Sequence, residues 1–179
     1  MFTHKPTLTG ERVILRPVTV DDVPGLAAML ADPEAGRLTG THATFTDDQL
    51  RAWYATRGEQ TDRLDLAVVD RETGSYAGEV VLNDLNERNL ACGFRISLGP
   101  AARGRGLGTE ATRLIVGYAI EEVGLHRVEL EVYAFNPRAQ AVYERVGFVR
   151  EGVRRDALCW DGGWVDAIMM SILSTEWRR

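Results

Sequence analysis

The chain has 179 residues, of which 45% are hydrophobic and 26% are charged, and it carries a formal net charge of −5. This length and composition fit one globular domain, and no apolar run reaches the roughly 18 residues that a membrane-spanning helix needs. No dense basic stripe is visible, which disfavours nucleic acid as a partner, and the scattered cysteines and histidines match no metal-ligand spacing. The sequence therefore predicts a cytoplasmic protein with a single domain over residues 1–179, no bound metal and no membrane association.

The first half of the chain predicts a strand, two helices and three strands. Residues 11–18 alternate between two sets of side chains, which indicates a strand. A first helix begins at Asp21 and is expected to end at Asp32-Pro33, because the residue before a proline disfavours the helical conformation. A second helix begins at Thr46-Asp47-Asp48-Gln49, which is a capping-box pattern. Strands separated by turn-forming residues are then expected over 64–70, 76–83 and 90–98.

The second half predicts a helix, a strand, a short helix and a closing hairpin. Apolar residues recur at helical spacing over 106–123, and Gly124 suits the end of that helix. Asp161-Gly162 is a strong hairpin signal. The other elements are a strand over 126–133, a helix over 137–145 and strands over 148–160 and 164–173. Together they predict an α/β (α+β) fold, with one mixed, twisted sheet of about seven strands, about four helices and a right-handed parallel crossover.

A glycine-rich segment lies between a predicted strand end and a predicted helix start. It reads Arg103-Gly104-Arg105-Gly106-Leu107-Gly108-Thr109. Glycines permit close backbone approach and free N–H groups at a helix N-terminus attract anions, so a phosphate-bearing ligand is the natural occupant. The Rossmann spacing fails because Thr109 stands where its third glycine would be, and the P-loop fails because it lacks the lysine. The remaining pattern, R-x-x-G-x-G, also fits a glycine-rich turn with no ligand.

A second motif follows the next predicted strand and reads Asn136-Pro137-Arg138-Ala139-Gln140-Ala141-Val142-Tyr143-Glu144-Arg145-Val146-Gly147-Phe148. Asn136 is a good N-cap, and Tyr143, about two turns later, lies on the same side of the helix. With the glycine loop before it, this segment closely resembles the GNAT acetyltransferase signature N-x-x-(S/A)-x-x-x-Y-E-(R/K)-x-G-F. The resemblance covers nearly the whole chain. Residues 12–17 and 160–166 resemble the branch of the ribosomal-protein alanine (RimJ/RimL-like) and spermidine acetyltransferases.

The resemblance implies an N-acetyltransferase that uses acetyl-CoA, built on a sheet with a splayed parallel strand pair. It implies that backbone N–H groups of the glycine loop bind pyrophosphate, and that the preceding strand pairs with the pantetheine arm and supplies an oxyanion hole. Asn136 should lie near the thioester, Tyr143 should act as general acid, and Arg145 is placed to meet a phosphate. The implied cofactor-binding residues are Ile96, Ser97, Leu98, Arg103, Gly104, Arg105, Gly106, Leu107, Gly108, Thr109, Asn136, Tyr143 and Arg145.

The sequence departs from the family pattern at the expected general base. Gly93 stands where many relatives carry a glutamate, and Arg95 stands where a glycine is common. Glu79 is the nearest acidic residue and becomes the candidate catalytic base, with a solvated strand residue as the alternative and proton loss to water as a third option. Cys159 is interpreted as a packing residue rather than an acetyl carrier, and His42 as either a substrate contact or a surface histidine.

These motifs predict direct attack of a primary amine on acetyl-CoA in a ternary complex. The acceptor is a small-molecule amine, such as a polyamine, or a peptide N-terminus, and a homodimer is one option for assembly. A non-catalytic acetyl-CoA-binding sensor or pseudoenzyme is the alternative, which the presence of Tyr143 disfavours. Acidic residues in the expected substrate region predict a cationic acceptor that is steered by charge. These residues are Glu34, Asp47, Asp48, Glu59, Asp62 and Asp65.

Overall fold

A computed structural model describes residues 1–178 and shows one eight-stranded mixed sheet packed against helices. The strands are β1 Leu8–Thr9, β2 Val13–Pro17, β3 Leu64–Asp70, β4 Tyr76–Asn86, β5 Ala91–Leu98, β6 Arg127–Tyr133, β7 Val149–Trp160 and β8 Gly163–Leu173. The α-helices are α1 Val23–Leu30, α2 Pro33–Thr39, α3 Asp47–Arg57, α4 Leu107–Gly117, which continues into a π-helical turn over Tyr118–Glu122, and α5 Pro137–Val146. Across the sheet the strand order is β1-β2-β3-β4-β5-β6-β8-β7.

The predicted fold class is confirmed, although the described residues hold eight strands and five α-helices rather than about seven and four. The missed helix is α2. Asp32-Pro33 does end α1, but the Asp32 side chain also accepts hydrogen bonds from the backbone N–H groups of Glu34 and Ala35, at 3.3 and 3.2 Å. Pro33 fills the first helical position, where a missing N–H costs nothing. The same dipeptide therefore ends one helix and begins the next.

Alternate residues of the central strands face two different helical layers, as the pleat of a strand requires. Leu66 and Val68 of β3 belong to the same buried cluster as Ile115 of α4 and Tyr143 of α5. Ala67, between them, packs instead with residues of α1 and α3. Helices α4 and α5 thus cover one face of the sheet, and α1 and α3 cover the other. Full burial of a side chain such as Ile115 contributes roughly 1.5–3 kcal/mol to stability.

The expected parallel strand pair is formed by β5 and β6, and the two strands separate soon after they meet. Their register begins with Ala91 opposite Arg127 and ends with Gly93 opposite Glu129. Both strands continue beyond that point, β5 still paired with β4 and β6 still paired with β8. The facing edges of β5 and β6 are therefore left without a strand partner, which confirms the predicted splay.

A single carboxylate fixes the start of α4 against the turn that begins β2. The Glu110 side chain accepts hydrogen bonds from three consecutive backbone N–H groups, those of Glu11, Arg12 and Val13, at 2.6, 2.8 and 3.0 Å. Gly10 makes room for this contact, because a Cβ there would lie 2.7 Å from the Glu110 carboxyl group. The turn that begins β2 is thus tied to the first turn of α4, close to the glycine loop.

Replacement of Glu110 by alanine is expected to lower the free energy of unfolding by about 1–3 kcal/mol, because three backbone donors lose their acceptor. Two of these donors are exposed to solvent, so water replaces part of the loss and the lower end of the range is expected. Urea denaturation measures the change. Glu144→Ala is the control, since Glu144 is an exposed glutamate of α5. Equal losses in the two variants would contradict the anchoring role of Glu110.

Candidate active site

A cleft of about 1120 Å³ passes through the sheet where β5 and β6 separate. The glycine loop, the end of β5 and helix α5 form one part of its wall, and α2 and β6 form another. The structure brings most of the predicted site residues to this cleft, and Arg105, Leu107 and Glu79 lie outside its lining. The predicted residues that line it are Ile96, Ser97, Leu98, Arg103, Gly104, Gly106, Gly108, Thr109, Asn136, Tyr143 and Arg145.

Two glycines give the loop before α4 its shape. Gly104 and Gly106 have φ angles of +75° and +82°, in the left-handed region that side chains disfavour. Gly106 is the N-cap of α4, and the first N–H groups of a helix have no acceptor within it. These groups and the positive end of the helix dipole form an anion site that borders the cleft.

Two long side chains of the loop, those of Arg105 and Leu107, turn away from this anion site. Arg105 donates to Asp70 and Glu72, at 2.6 and 2.7 Å, on the far side of the loop from the cleft. Leu107 is 2% exposed and belongs to the hydrophobic core. Arg105 and Leu107 can therefore offer a ligand only their backbone groups, which is the contribution that the sequence predicted for the loop.

The free edge of β5 supplies a row of backbone groups next to the anion site. Residues 94–98 pair with β4 on one side, and the separation of β6 leaves the other side open. An extended ligand could add to this edge as a strand does. Part of the edge is already occupied, since the carbonyl oxygen of Leu98 accepts a hydrogen bond of 3.0 Å from Arg103 Nε. At Ile96 and Ser97 the edge of β5 that faces away from β4 stays open.

Tyr143 presents a protonated hydroxyl to the cleft. Its ring stands edge-on to Phe94, with 6.1 Å between centroids, and also contacts Phe148. Burial raises the pKa of Tyr143, so its hydroxyl keeps its proton at neutral pH. Within residues 1–178 no group hydrogen-bonds that hydroxyl, which leaves it free to donate to a ligand.

Asn136 begins the helix that carries Tyr143. Its Oδ1 accepts a hydrogen bond of 3.1 Å from the backbone N–H of Ala139, so the predicted N-cap is present. The cap uses the carbonyl oxygen of the side chain and leaves the amide nitrogen as a donor at the wall of the cleft.

Two arginines of α5 line the cleft without an ion-pair partner in the described part of the chain. Arg145 was predicted, and Arg138 was missed. Arg138 Nη2 lies 4.0 Å from the position that a Cβ on Gly104 would take, so it reaches the glycine loop. The available signal was its place in the first turn of the helix that Asn136 begins. Unpaired guanidinium groups beside an anion site suit a ligand that carries several phosphates.

Glu79 belongs to a network on the other face of β4. Tyr54 donates a hydrogen bond of 2.6 Å to Glu79 Oε2, and the Tyr54 hydroxyl also lies 3.2 Å from that of Tyr76. Burial raises the pKa of Glu79. The carboxyl group is therefore not a solvated strand side chain, and it is also not part of the cleft wall. A base role for Glu79 stays a prediction and requires an intervening water.

Most of the acidic residues of the expected substrate region lie outside the lining of the cleft. Only Glu34 of the six lines the cleft, and its carboxylate pairs with Arg103. Asp65 is buried and pairs with Arg63 at 2.7 Å. The other five acidic residues lie outside the cleft lining, so any steering by their charge would act from outside the cleft wall, and the steering stays a prediction.

The wall opposite α5 carries mixed charge. Helix α2 contributes Arg37, whose guanidinium carbon lies 4.3 Å from the centroid of the Phe135 ring. β6 contributes Glu129 and Glu131, which pair with Arg127 and Arg154 respectively. The balance of paired charges gives this wall no single sign, so it does not by itself favour a cationic acceptor.

The remaining reactive side chains lie outside the cleft. Cys92 is buried, which raises the pKa of its thiol to about 12, and Cys159 is an exposed residue of β7. His42 stacks on Trp160, with 4.6 Å between ring centroids, and does not reach the cleft wall. Over residues 1–178 no group of three or more potential ligands is arranged to hold a metal ion, and the helices there are too short or too polar to cross a bilayer.

Comparison with known proteins identifies what this geometry is similar to. A family model described as "Acetyltransferase (GNAT) domain" matches residues 12–149. The protein named "Probable N-acetyltransferase YjcK" from Bacillus subtilis (strain 168) is 39% identical over 124 residues, which cover 69% of this chain and 68% of YjcK. YdaF of the same organism is 35% identical over 105 residues, and the match spans 59% of this chain and only 57% of YdaF.

Solved structures show the same fold over nearly the full length. The spermidine N-acetyltransferase from Vibrio cholerae, in complex with CoA and spermine, has a TM-score of 0.86 to this chain at 22% identity. The superposition covers 93% of this chain and 98% of the other.

The buried Glu79 carboxyl should make stability depend on pH in a defined direction. Because burial raises its pKa above the ordinary value of 4.5, the folded state disfavours the ionised form, and this costs stability as pH rises through 4.5 toward the raised pKa. Glu79→Gln keeps an acceptor for Tyr54 but cannot ionise. Its stability relative to the wild type should therefore increase with pH. The total increase is about 1.4 kcal/mol for each unit by which the pKa of Glu79 in the folded state exceeds its pKa in the unfolded state.

Urea denaturation of both proteins at pH 4, 5.5 and 7.5 measures this difference. Asp48→Asn serves as the control, since Asp48 is exposed in the first turn of α3. A difference between Glu79→Gln and the wild type that stays constant over this range would show that the carboxyl titrates normally.

Proposed function

Because the chain belongs to the GNAT acetyltransferase family, we propose that it transfers the acetyl group of acetyl-CoA to a primary amine by direct attack in a ternary complex. The observation that carries this proposal is the cleft between β5 and β6. It combines a backbone anion site, an open strand edge and an unpartnered tyrosine hydroxyl along one continuous wall. Each of these three features suits a different part of acetyl-CoA, namely its pyrophosphate, its pantetheine arm and its sulfur.

The residues present fit acetyl-CoA as the cosubstrate. N–H groups over 103–109 would hold the pyrophosphate, because the loop has the curvature for it and the side chains of Arg105 and Leu107 turn away. Arg138 and Arg145 would bind the remaining phosphate charge. The open edge at Ile96 and Ser97 would pair with the amide groups of the pantetheine arm, and an N–H there would polarise the thioester carbonyl.

The chemistry requires one proton to leave the amine and one to reach the departing sulfur. The neutral amine forms the new C–N bond at the thioester carbonyl carbon, and the C–S bond then breaks. The Tyr143 hydroxyl, which its raised pKa keeps protonated at neutral pH, supplies a proton to the sulfur and then regains one from water. The amine loses its proton to water, with Glu79 as a candidate final acceptor beyond the cleft wall.

The acceptor enters from the α2 side of the cleft, since α4 and α5 occupy the cofactor side. Two classes remain as candidates, a small amine such as a polyamine and a protein N-terminus. Spermine is bound by one protein of the same fold, which supports testing polyamines first. A thiol-release screen over polyamines, other small amines and short peptides would identify the class. A non-catalytic acetyl-CoA sensor, the alternative function, would bind CoA yet release no thiol with any acceptor.

Substitution of Gly106 tests the cofactor site. Its φ of +82° strains any side chain, and a Cβ there would lie 3.0 Å from Arg12 Nη1. Gly106→Val should distort the anion site and weaken acetyl-CoA binding by about 10- to 100-fold, which corresponds to the ~1–3 kcal/mol that such backbone strain costs. Calorimetric titration with acetyl-CoA measures the affinity, and circular dichroism verifies the fold.

Gly74→Val is the matched control for backbone strain. Gly74 also has a positive φ, +70°, but lies in a turn away from the cleft with no atom within 4 Å of its added Cβ. This variant should lose stability and keep its affinity. Unchanged acetyl-CoA affinity in Gly106→Val, or an equal loss in both variants, would refute the assignment of the loop.

Removal of the Tyr143 hydroxyl tests the general acid. Tyr143→Phe keeps the ring contacts with Phe94 and Phe148, so acetyl-CoA affinity and melting temperature should change little. The turnover number kcat should fall within the ~10²–10⁴-fold typical of general acid–base groups. The low end is expected, because a thiol with a pKa near 8.5 is a fair leaving group unaided.

Steady-state kinetics with the best acceptor from the screen, beside thermal denaturation, separates this role from a packing role. Tyr118→Phe is the control, since Tyr118 is a partly buried tyrosine outside the cleft. Full activity in Tyr143→Phe would remove the general-acid role and leave the cofactor site intact.

A further inference from the structure

The side chain of Arg103 connects the glycine loop to the helix on the acceptor side of the cleft. Its Nε donates to the carbonyl oxygen of Leu98 at 3.0 Å, its Nη2 donates to Asp32 Oδ2 at 2.6 Å, and its Nη1 donates to the Glu34 carboxylate. The side chain is only 15% exposed. Arg103, the first residue of the anion loop, thus connects the end of β5 to the first turn of α2.

Asp32 couples this guanidinium to the geometry of α2. Its carboxylate is the N-cap of that helix and accepts the N–H groups of Glu34 and Ala35 as well as the hydrogen bond from Arg103. Desolvation raises the pKa of Asp32, but the hydrogen bonds from Arg103 and the backbone outweigh it and hold that pKa below its usual value. The carboxylate therefore stays ionised at neutral pH. Because the same carboxylate binds Arg103 and caps α2, the position of Arg103 fixes the start of that helix.

The other end of α2 is fixed on the far side of the splay. The helix contacts both β5 and β6. The Arg37 guanidinium carbon lies 4.3 Å from the Phe135 ring centroid, and Gly40 packs so closely on Tyr133 that a Cβ would lie 2.7 Å from its hydroxyl oxygen. Helix α2 therefore spans the gap between the separated strands, and Arg37, Leu38 and Thr39 form wall of the cleft along that span.

We propose that Arg103 is a positioning residue that transmits occupancy of the anion loop to the acceptor wall formed by α2. This inference rests on the proposed function. A pyrophosphate bound by the backbone of residues 103–108 restrains the loop, Arg103 carries that restraint to Asp32 and Glu34, and α2 holds the cleft wall in the geometry that receives the amine.

Arg103 is suited to this role rather than to direct phosphate binding. All three nitrogens of its guanidinium already donate to protein oxygens, and two carboxylates neutralise its charge. The coupling is reciprocal by linkage, so acetyl-CoA should tighten acceptor binding by the same factor by which the acceptor tightens acetyl-CoA binding. The acceptor would thus be held in its productive geometry when the thioester is in place.

Three variants isolate this connection. Arg103→Gln removes both ion pairs. Asp32→Asn weakens one of them while keeping a side chain that is equally good as an N-cap, so α2 retains its start. Arg16→Gln is the matched control, because Arg16 makes a comparable two-nitrogen contact with Asp22, at 2.8 and 2.6 Å, just before α1 and away from the glycine loop.

Hydrogen–deuterium exchange with and without CoA tests the transmission, and calorimetry verifies CoA binding in each protein. CoA should slow exchange of the amides over 35–41 by about 5- to 10-fold in the wild type and in Arg16→Gln, a factor within the usual range of coupling between sites. This protection should disappear in Arg103→Gln and decrease in Asp32→Asn, although both still bind CoA. If reduced stability alone caused the loss of protection, the protection would be lost in Arg16→Gln as well.

Kinetics with the best acceptor from the thiol-release screen give a second readout. At saturating acetyl-CoA, Arg103→Gln should raise the acceptor KM by about 5- to 10-fold, Asp32→Asn should raise it by a smaller factor, and both should leave kcat within about 2-fold. Arg103→Lys, which keeps the charge, should recover part of the loss. If CoA binds the wild type without protecting α2, or protects it equally in Arg103→Gln, the inference is overturned and the proposed function stands. Failure of the wild type to bind CoA would overturn both.

Discussion

The point at which β5 and β6 stop pairing determines the arrangement of everything around it. Parallel strands normally exchange hydrogen bonds along their length, and unpaired backbone groups away from water are costly. Here the pairing ends at Gly93 opposite Glu129, and the rest of both facing edges borders an open cleft. The structure places α4 and α5 on one side of this opening and α2 across the other. The exposed edge is therefore accessible to a ligand from the cleft.

The distribution of arginines around the cleft follows from the same opening. Those that hold the protein together are paired, as Arg103 is with Asp32 and Arg127 is with Glu129. Those on α5 have no ion-pair partner in the part of the chain that the structure describes, and they face the cofactor side. A guanidinium with a carboxylate partner has little charge left for a ligand, whereas an unpaired one beside a helix N-terminus adds to the same anion site.

Features with local causes were predictable from the sequence. The capping box at Thr46 and Gln49 is present, and the predicted hairpin turn has positive φ at both Asp161 and Gly162. The glycine loop and the start of its helix were likewise predictable from the positions of the glycines alone. What could not be predicted depends on contacts between distant segments. Examples are the hydrogen bond between Tyr54 and Glu79, and the position of most acidic residues of the expected substrate region outside the cleft lining.

The two cysteines differ so much in their surroundings that the molecule carries a single addressable thiol over residues 1–178. Cys92 is 1% exposed and, with its pKa raised to about 12, has almost no reactive thiolate at neutral pH. Cys159 is exposed near the tip of the β7–β8 hairpin, next to Trp160, on which His42 stacks. A maleimide dye would therefore attach there without mutagenesis, and its emission would report movements of the segment that follows α2.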